Sequence, residues 1–589
     1  MHCILRGVKK MLNSFHPGLL IIAIGSLILI LPAKCRKPLA LISAAVGIAG
    51  LFILSSSSHL VYRLTPALKL NLIHVDRLSI IFIIIFAIIG AINNIYGLDI
   101  QDKWEKGMSV IYGGSIIAAT LAGDVISLIV FWEVAAFSAA YLIYAKHTRR
   151  SSRAALRYLL MHAFGGNMLL VGFLMHAANS GSLAIPKYTG SDGSAAFWFI
   201  LIGVCVNAVV PPFNSWISDS YPESTIAGTV FMCGYTTKLG IYAMIRIFAG
   251  TEMLLYAGVF MALYGVLMAF LENDLRRLFS YHIMSQLGYM VASLAVGGAW
   301  GIDGAASHVF NNIIYKGVLM MCSGAVIMAT GKRKITELGG LKDKMPITAF
   351  TFLIASLSIA GMPFLNGFAS KTVVMHAVQA SGHDVAALLL TVTSIGTWLS
   401  VVLKVNWFVF LGEARTEFEV KEIPLSMKLG MLLGAAGCII IGIVPSILYR
   451  LLPFAVSVHP FTVEHVLEYL ILFAGATIVF WLVRVKMLPH DQLSLDFDWL
   501  LRKPLAGVIT ATSTGLNKFT GWADVKSLGI VRFCGERLGN PYKWTESSRR
   551  SFVRNISFEN EDRDIGIVIE ISVSMLALIT IIAMLFINK

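Results

Sequence analysis

Residues 202–219 read IGVCVNAVVPPFNSWISD, an asparagine and two adjacent prolines inside a stretch apolar enough to cross a membrane. Proline has no amide donor and its ring clashes with the preceding helical turn, so Pro211 and Pro212 interrupt the helix. Irregular backbone at membrane depth is tolerated only where it is buried in protein or lines a hydrated cavity. A similar interruption, AGMPFLNGF, occupies 360–368, with Pro363 and Asn366 in comparable places. One such proline reads equally well as a packed kink. Two alike, about five apolar runs apart, are the pattern of an inverted repeat, because an odd number of crossings turns the second half over.

The rest of the chain fits that reading. Among its 589 residues, 57% are hydrophobic and only 14% charged, and mean hydropathy is +0.76. Such a composition cannot supply a polar coat for a water-soluble domain. Apolar runs of roughly 17 to 25 residues, the length that spans a bilayer core, number about sixteen, from 17–33 to 565–587. They include runs at 226–249, 347–378 and 385–411. The expected fold is an all-α polytopic membrane protein with inverted five-helix repeats and two discontinuous helices. Residues 1–106 form N-terminal spans, 107–411 the working core of two repeats, and 412–486 further spans. Residues 487–564 are too polar to cross and are expected on or near the cytoplasmic surface; 565–589 hold the last span. The basic start (Arg6, Lys9, Lys10) also suits a signal peptide, but no small-residue cleavage site follows, so the first run reads as a retained helix.

The net charge of +14 sits in short loops between spans rather than on a soluble face, which argues for membrane topology and against nucleic-acid binding. Lys34, Arg36 and Lys37, AKHTRRSSRAALR (145–157), GKRKITELGGLKDK (331–344) and the segment after 485 share one side if the N-terminus is outside. The C-terminus then lies outside too. Arg276 and Arg277 fall in a tight turn on the basic side and follow the same rule. Seven scattered cysteines contain no CxxC pair, and no phosphate-binding, dinucleotide, haem or iron–sulfur spacing occurs. No cofactor or metal is expected, and an ion gradient or a partner must supply the energy.

Five ionisable residues lie deep in apolar runs: Glu133, Lys238, Lys316, Lys371 and Lys404. Each costs about 2.5 to 3.5 kcal/mol at a helix centre on insertion scales, on the order of 10 kcal/mol together, unless paired, neutralised or hydrated. Near a helix end a lysine instead snorkels to the interface, a reading open for Lys404 and Lys238; for Lys316 and Glu133 the alternative is a structural buried pair. Burial favours the neutral form of any ionisable group, which brings proton exchange within reach of neutral pH. His308, Asn312 and Lys316 recur at four-residue spacing on one helical face, and His282, Ser285, Gln286 and Tyr289 share another. Such stripes hold water between ionisable groups, although His282 near a helix start also reads as a packing or capping residue.

Six stretches in order, FWEVAAFSAAYLI (131–143), PPFNSWISDSYPES (211–224), TTKLGIYAMIRI (236–247), DLRRLFSYHIMSQLGYM (274–290), HVFNNIIYKGVLM (308–320) and GMPFLNGFASK (361–371), resemble the proton-conducting antiporter-like subunits. That family includes the A-type and D-type subunits of Mrp cation/proton antiporters and the large antiporter-like subunits of respiratory complex I. The resemblance covers about residues 75 to 411 and looks most like the D-type subunit of an Mrp antiporter. It implies a bacterial cytoplasmic membrane, partner membrane subunits, and a proton relay in which Glu133, Lys238, Lys316 and Lys371 match family positions. His308, His282 and Lys404 join that relay from the residue pattern alone. In the family the glutamate pairs with a lysine a few residues before the first break, where this chain has Asn207. An amide hydrogen-bonds water but carries no charge. Glu133 is thus left to pair elsewhere, to sit protonated or to bind a cation, or the first half-channel is silent. The leading expectation is a subunit of a sodium or other monovalent cation/proton antiporter. The alternatives are a proton-pumping subunit of a complex I-like quinone reductase or membrane-bound hydrogenase, and a non-conducting scaffold.

Overall fold

A computed structural model describes residues 15–55, 58–65, 69–190, 192–455, 457–484, 499 and 506–538. The chain divides into a unit ending at Ser494 and one beginning at Leu495. The apolar run at 565–587 lies outside the described residues.

The first unit opens with helices α1 (Pro17–Ile30) and α2 (Ala33–Ile53) and an antiparallel hairpin, β1 (His59–Arg63) and β2 (Lys69–His74). This hairpin is the one departure from an all-helical chain among the described residues. Helix α3 (Arg77–Tyr96) follows, started by a capping box in which Asp76 and Ser79 satisfy each other's backbone amides.

Two five-crossing units come next. The first holds α4 (Lys103–Leu121), α5 (Val125–Tyr144), α6 (Arg149–Ser180), α7 (Ala195–Asn207) with α8 (Ser215–Ser220), and α9 (Ile226–Gly234) with α10 (Thr236–Phe248). The second holds α11 (Met253–Leu271), α12 (Leu275–Val296), α13 (Gly298–Thr330), α14 (Pro346–Ala360) with α15 (Asn366–Ala380), and α16 (Asp384–Thr397), which continues as a wider π-helix, Trp398–Leu411. Helices α17 (Leu425–Ile443) and α18 (Val463–Val483) close the unit. Beyond it, α19 (Ala506–Leu538) is a 33-residue helix, in a segment whose mixed composition gives no sign of one.

The two units repeat at a fixed offset of 150 residues. Asp124 bridges Ala184 as Asp274 bridges Lys334. The Val125 amide donates to the Leu183 carbonyl and the Leu275 amide to that of Arg333, both at 3.0 Å. Asp124 caps α5 and Asp274 caps α12, while Gly181 and Gly331 end α6 and α13 in left-handed conformation (φ 66° and 70°). Five crossings per unit invert the second against the first.

Nine described helices are long and apolar enough to cross a membrane, fewer than the about sixteen apolar runs. Several runs are cut into pieces. The run at 347–378 is two helices parted at 361–365, and 226–249 is interrupted at Tyr235. The basic loops gather at one end of the first unit. There Lys37 pairs with Asp99 at 2.5 Å, Lys146 and Arg333 converge on Glu223 at 3.5 and 3.1 Å, and Arg333 also pairs with Asp274. Burial works against ionisation of Glu223, but Arg333 and Lys146 outweigh it and hold the carboxyl below its ordinary range. At the opposite end Arg246 grips Asp76 with two hydrogen bonds of 2.6 and 2.7 Å. Burial raises the Asp76 carboxyl, the guanidinium more than reverses this, and the group falls to about 2.

Candidate functional site: a buried polar file between two broken helices

Both breaks force a bulky residue into left-handed backbone, Val209 (φ 62°) in the first and Phe364 (φ 69°) in the second. Such conformations cost free energy and persist only where surrounding contacts hold them. At the second break Asn366 does the holding. Its Oδ1 accepts from Ser358 Oγ at 2.9 Å, and its carbonyl accepts from Asn311 Nδ2 at 2.6 Å. The carbonyl of Ala360, freed where α14 ends, accepts from Lys371 Nζ at 3.1 Å. At the first break the Val206 carbonyl accepts instead from the Trp216 indole at 2.9 Å. Pro211, Pro212 and Pro363 all lie in the unwound segments.

The four lysines share one mode of binding. Lys238 Nζ donates to the Cys233 carbonyl at 2.8 Å, beside the interruption at Tyr235. Lys316 Nζ donates to the Phe279 carbonyl at 3.0 Å and lies over that ring. Lys371 adds Ser394 Oγ at 3.0 Å to its Ala360 contact. Lys404 Nζ donates to the carbonyls of Phe270 and Glu272, at 2.6 and 2.8 Å, where α11 ends. The Lys404 amine therefore sits at the basic end of the bundle rather than at its middle. The Cys233, Ala360 and Phe270 carbonyls lie at helix C-termini, which carry partial negative charge and suit an ammonium group, whereas that of Phe279 lies in the second turn of α12. Held by carbonyls rather than carboxylates, an amine can change its charge without breaking an ion pair.

A chain of polar side chains runs from Lys371 through the second repeat. Ser394 Oγ lies 2.9 Å from Tyr289 OH, whose ring packs against His308 at 5.5 Å between centroids. His308 Nδ1 is 3.1 Å from Ser370 Oγ, and Nε2 is 3.5 Å from Tyr315 OH. Tyr315 OH donates to Gln286 Oε1 at 3.2 Å and accepts from Asn312 Nδ2 at 3.1 Å. His282 Nε2 is 2.9 Å from Ser400 Oγ on the π-helix. His282 Nδ1, Gln286 Nε2, Asn311 Oδ1 and Asn312 Oδ1 are buried without a protein partner. Orphaned buried groups in a row are the groups that internal water bridges.

The first repeat is arranged differently. Glu133 forms no hydrogen bond or ion pair among the described residues, so the structure gives it no substitute partner; its carboxylate lies against Gly166, where a side-chain carbon would collide with Oε1. Asn207 is buried with Oδ1 unpartnered. Two residues absent from the sequence-derived site stand out. His162 is buried between the Tyr158 and Trp216 rings with Asn207 beside it, and its position mid-way along an apolar run is the available signal. His465, on α18, has Nε2 3.1 Å from Thr372 Oγ1, the neighbour of Lys371, a contact that nothing in the sequence spacing signals.

Residues 122–397 match the family described as NADH:quinone oxidoreductase/Mrp antiporter, TM. An uncharacterised protein of Methanocaldococcus jannaschii is 30% identical over 372 residues, covering 60% of this chain and 77% of that protein. The D-type subunit of the Na(+)/H(+) antiporter of Alkalihalophilus pseudofirmus is 31% identical, covering 54% of this chain and 66% of its own length. The chain spans less than two thirds of several other curated relatives it matches. Among solved structures, a chain of the membrane-bound sulfane sulfur reductase, an archaeal respiratory membrane complex, superposes with a TM-score of 0.69 at 21% identity, over 96% of this chain and 99% of that one.

Proposed function

The chain belongs to the NADH:quinone oxidoreductase/Mrp antiporter transmembrane family, and from that premise we propose that it carries protons as one membrane subunit of a multisubunit monovalent cation/proton antiporter. The observation that carries this reading is the file of four buried lysines, each bound to backbone carbonyl and, among the described residues, none to a carboxylate. Proton transfer needs neighbouring groups that both accept and donate, and the Ser394, Tyr289, His308 and Tyr315 contacts supply them leading away from Lys371. The likeness to the D-type antiporter protein supports sodium as the counter-ion. On this reading residues 107–411 are the conducting core, the membrane is the bacterial cytoplasmic one, and the end bearing Lys37, Lys146 and Arg333 faces the cytoplasm, following the preference of basic loops for that side.

A second reading has its own observation. The sulfane sulfur reductase chain superposes over 96% of this chain. That extent supports a proton-pumping subunit driven by a redox partner. Native membrane vesicles separate the two. An imposed sodium gradient that drives proton movement, read by a pH-sensitive dye, supports the antiporter; movement only on adding a reductant supports the redox pump. No proton movement under either force, with the complex assembled, would leave the scaffold reading.

A further inference from the structure

We propose that His162 is the proton carrier of the first repeat, standing between Glu133 and Lys238. This deepens the proton-carrying reading above and rests on it.

Helix α6 presents Tyr158, His162 and Gly166 at four-residue spacing on one face. His162 is wholly buried, its ring 4.0 Å from Tyr158 and 4.7 Å from Trp216 between centroids. Neither ring nitrogen has a hydrogen-bond partner of ordinary geometry, and the Asn207 side chain lies beside it, also unpartnered at Oδ1. One helical turn along, about 6 Å, Gly166 receives the carboxylate of Glu133, itself without a partner among the described residues. An imidazole with Asn207 beside it thus lies one turn from a carboxylate that has no partner among the described residues and is received by Gly166.

The far side of His162 leads to Lys238. Tyr158 OH is 3.1 Å from Thr236 Oγ1, which also meets Tyr112 OH. Thr237 Oγ1 is buried and unpartnered, and Lys238 follows in the chain. The groups at the imidazole are Tyr158 from its own helix, Trp216 from α8 and Asn207 from α7, with Glu133 of α5 one turn along at Gly166. Beyond Tyr158 lie Tyr112 and Thr236, the latter two residues before Lys238 in the chain. Histidine alone among these can accept a proton on one nitrogen and release another from the second. A proton from the Glu133 carboxyl, passed through water, binds one ring nitrogen; the other releases its proton toward Thr236 and Lys238. No other bond changes.

The competing role is packing, since Tyr158, His162 and Trp216 form an aromatic cluster. His162→Phe keeps ring stacking and volume while removing proton exchange, so it separates the two roles. In vesicles holding the assembled complex, under whichever force drives the wild type, His162→Phe and His162→Gln are expected to slow proton movement about tenfold or more. Adding Asn207→Lys to His162→Gln is expected to restore much of it by placing an amine beside Glu133. Wild-type rates in both single variants, with Lys371→Met inactive, overturn the proposal and leave the function standing. Wild-type rates in Lys371→Met as well count against proton carriage itself. Should His162→Phe fail to assemble, His162→Gln with and without Asn207→Lys decides alone, and no recovery on adding the lysine overturns the proposal.

Discussion

The two broken helices are satisfied by different chemistry. At the second, the freed Ala360 carbonyl takes a lysine amine; at the first, the Val206 carbonyl takes a tryptophan indole. Yet the frame carrying them repeats at a 150-residue offset in its aspartate caps and glycine stops, and each break holds a left-handed residue, Val209 and Phe364. Backbone geometry and proton-bearing groups are therefore separable. Caps and close helix approaches fix the frame, and the side chains that carry charge can change within it. The second repeat holds Lys316, Lys371 and Lys404 on backbone carbonyls, with Lys371 continuing through Ser394 to Tyr289, while the first holds a carboxylate without a partner among the described residues and an imidazole beside Asn207.

The sharpest way to break this contrast is Lys316→Ala, expected to cut proton movement about 100-fold with the complex still assembled. A rate near wild type would remove the second-repeat file. Glu133→Gln is expected to cost less, about tenfold, because Glu133 is only half-buried whereas Lys316 is wholly buried; an unchanged rate in the same dye assay would mean a silent first repeat. Gly166→Ala pushes the Glu133 carboxylate away from α6. Because the displaced group is the end of a flexible side chain and alanine favours the helix, Tm in detergent should change by less than the equivalent of about 1 kcal/mol, with a drop in rate smaller than that of Glu133→Gln. Smallest is the difference between the matched caps. Asp124→Ala should cost about 1 kcal/mol, and Asp274→Ala somewhat more, because Asp274 also pairs with Arg333; equal Tm shifts would show that the pair adds nothing.

The prolines make both breaks legible in the sequence, because their chemistry is local. The buried lysines and Glu133 are legible for a related reason: a charge in an apolar run is conspicuous whatever it touches. The interruption at Tyr235 is not, since Tyr235 has no helix-breaking chemistry and the bend is set by its packing on Tyr112 and Phe86. The widening at Trp398 and the hairpin at 59–74 likewise depend on tertiary contacts. His162 is hidden because a histidine among leucines and phenylalanines reads as core until Gly166 is seen to hold the Glu133 carboxylate. Asn207 by itself reads as a loss of charge at the first break; the fold shows the imidazole beside it.

Proton movement in vesicles carrying Lys371→Met, driven by the force that powers the wild type, tests the lysine file most directly. With the complex assembled to wild-type levels, the rate should fall to background, because the amine joining Ala360 to Ser394 and Tyr289 is gone. A rate equal to wild type would contradict the claim that the lysine file of the second repeat carries the proton.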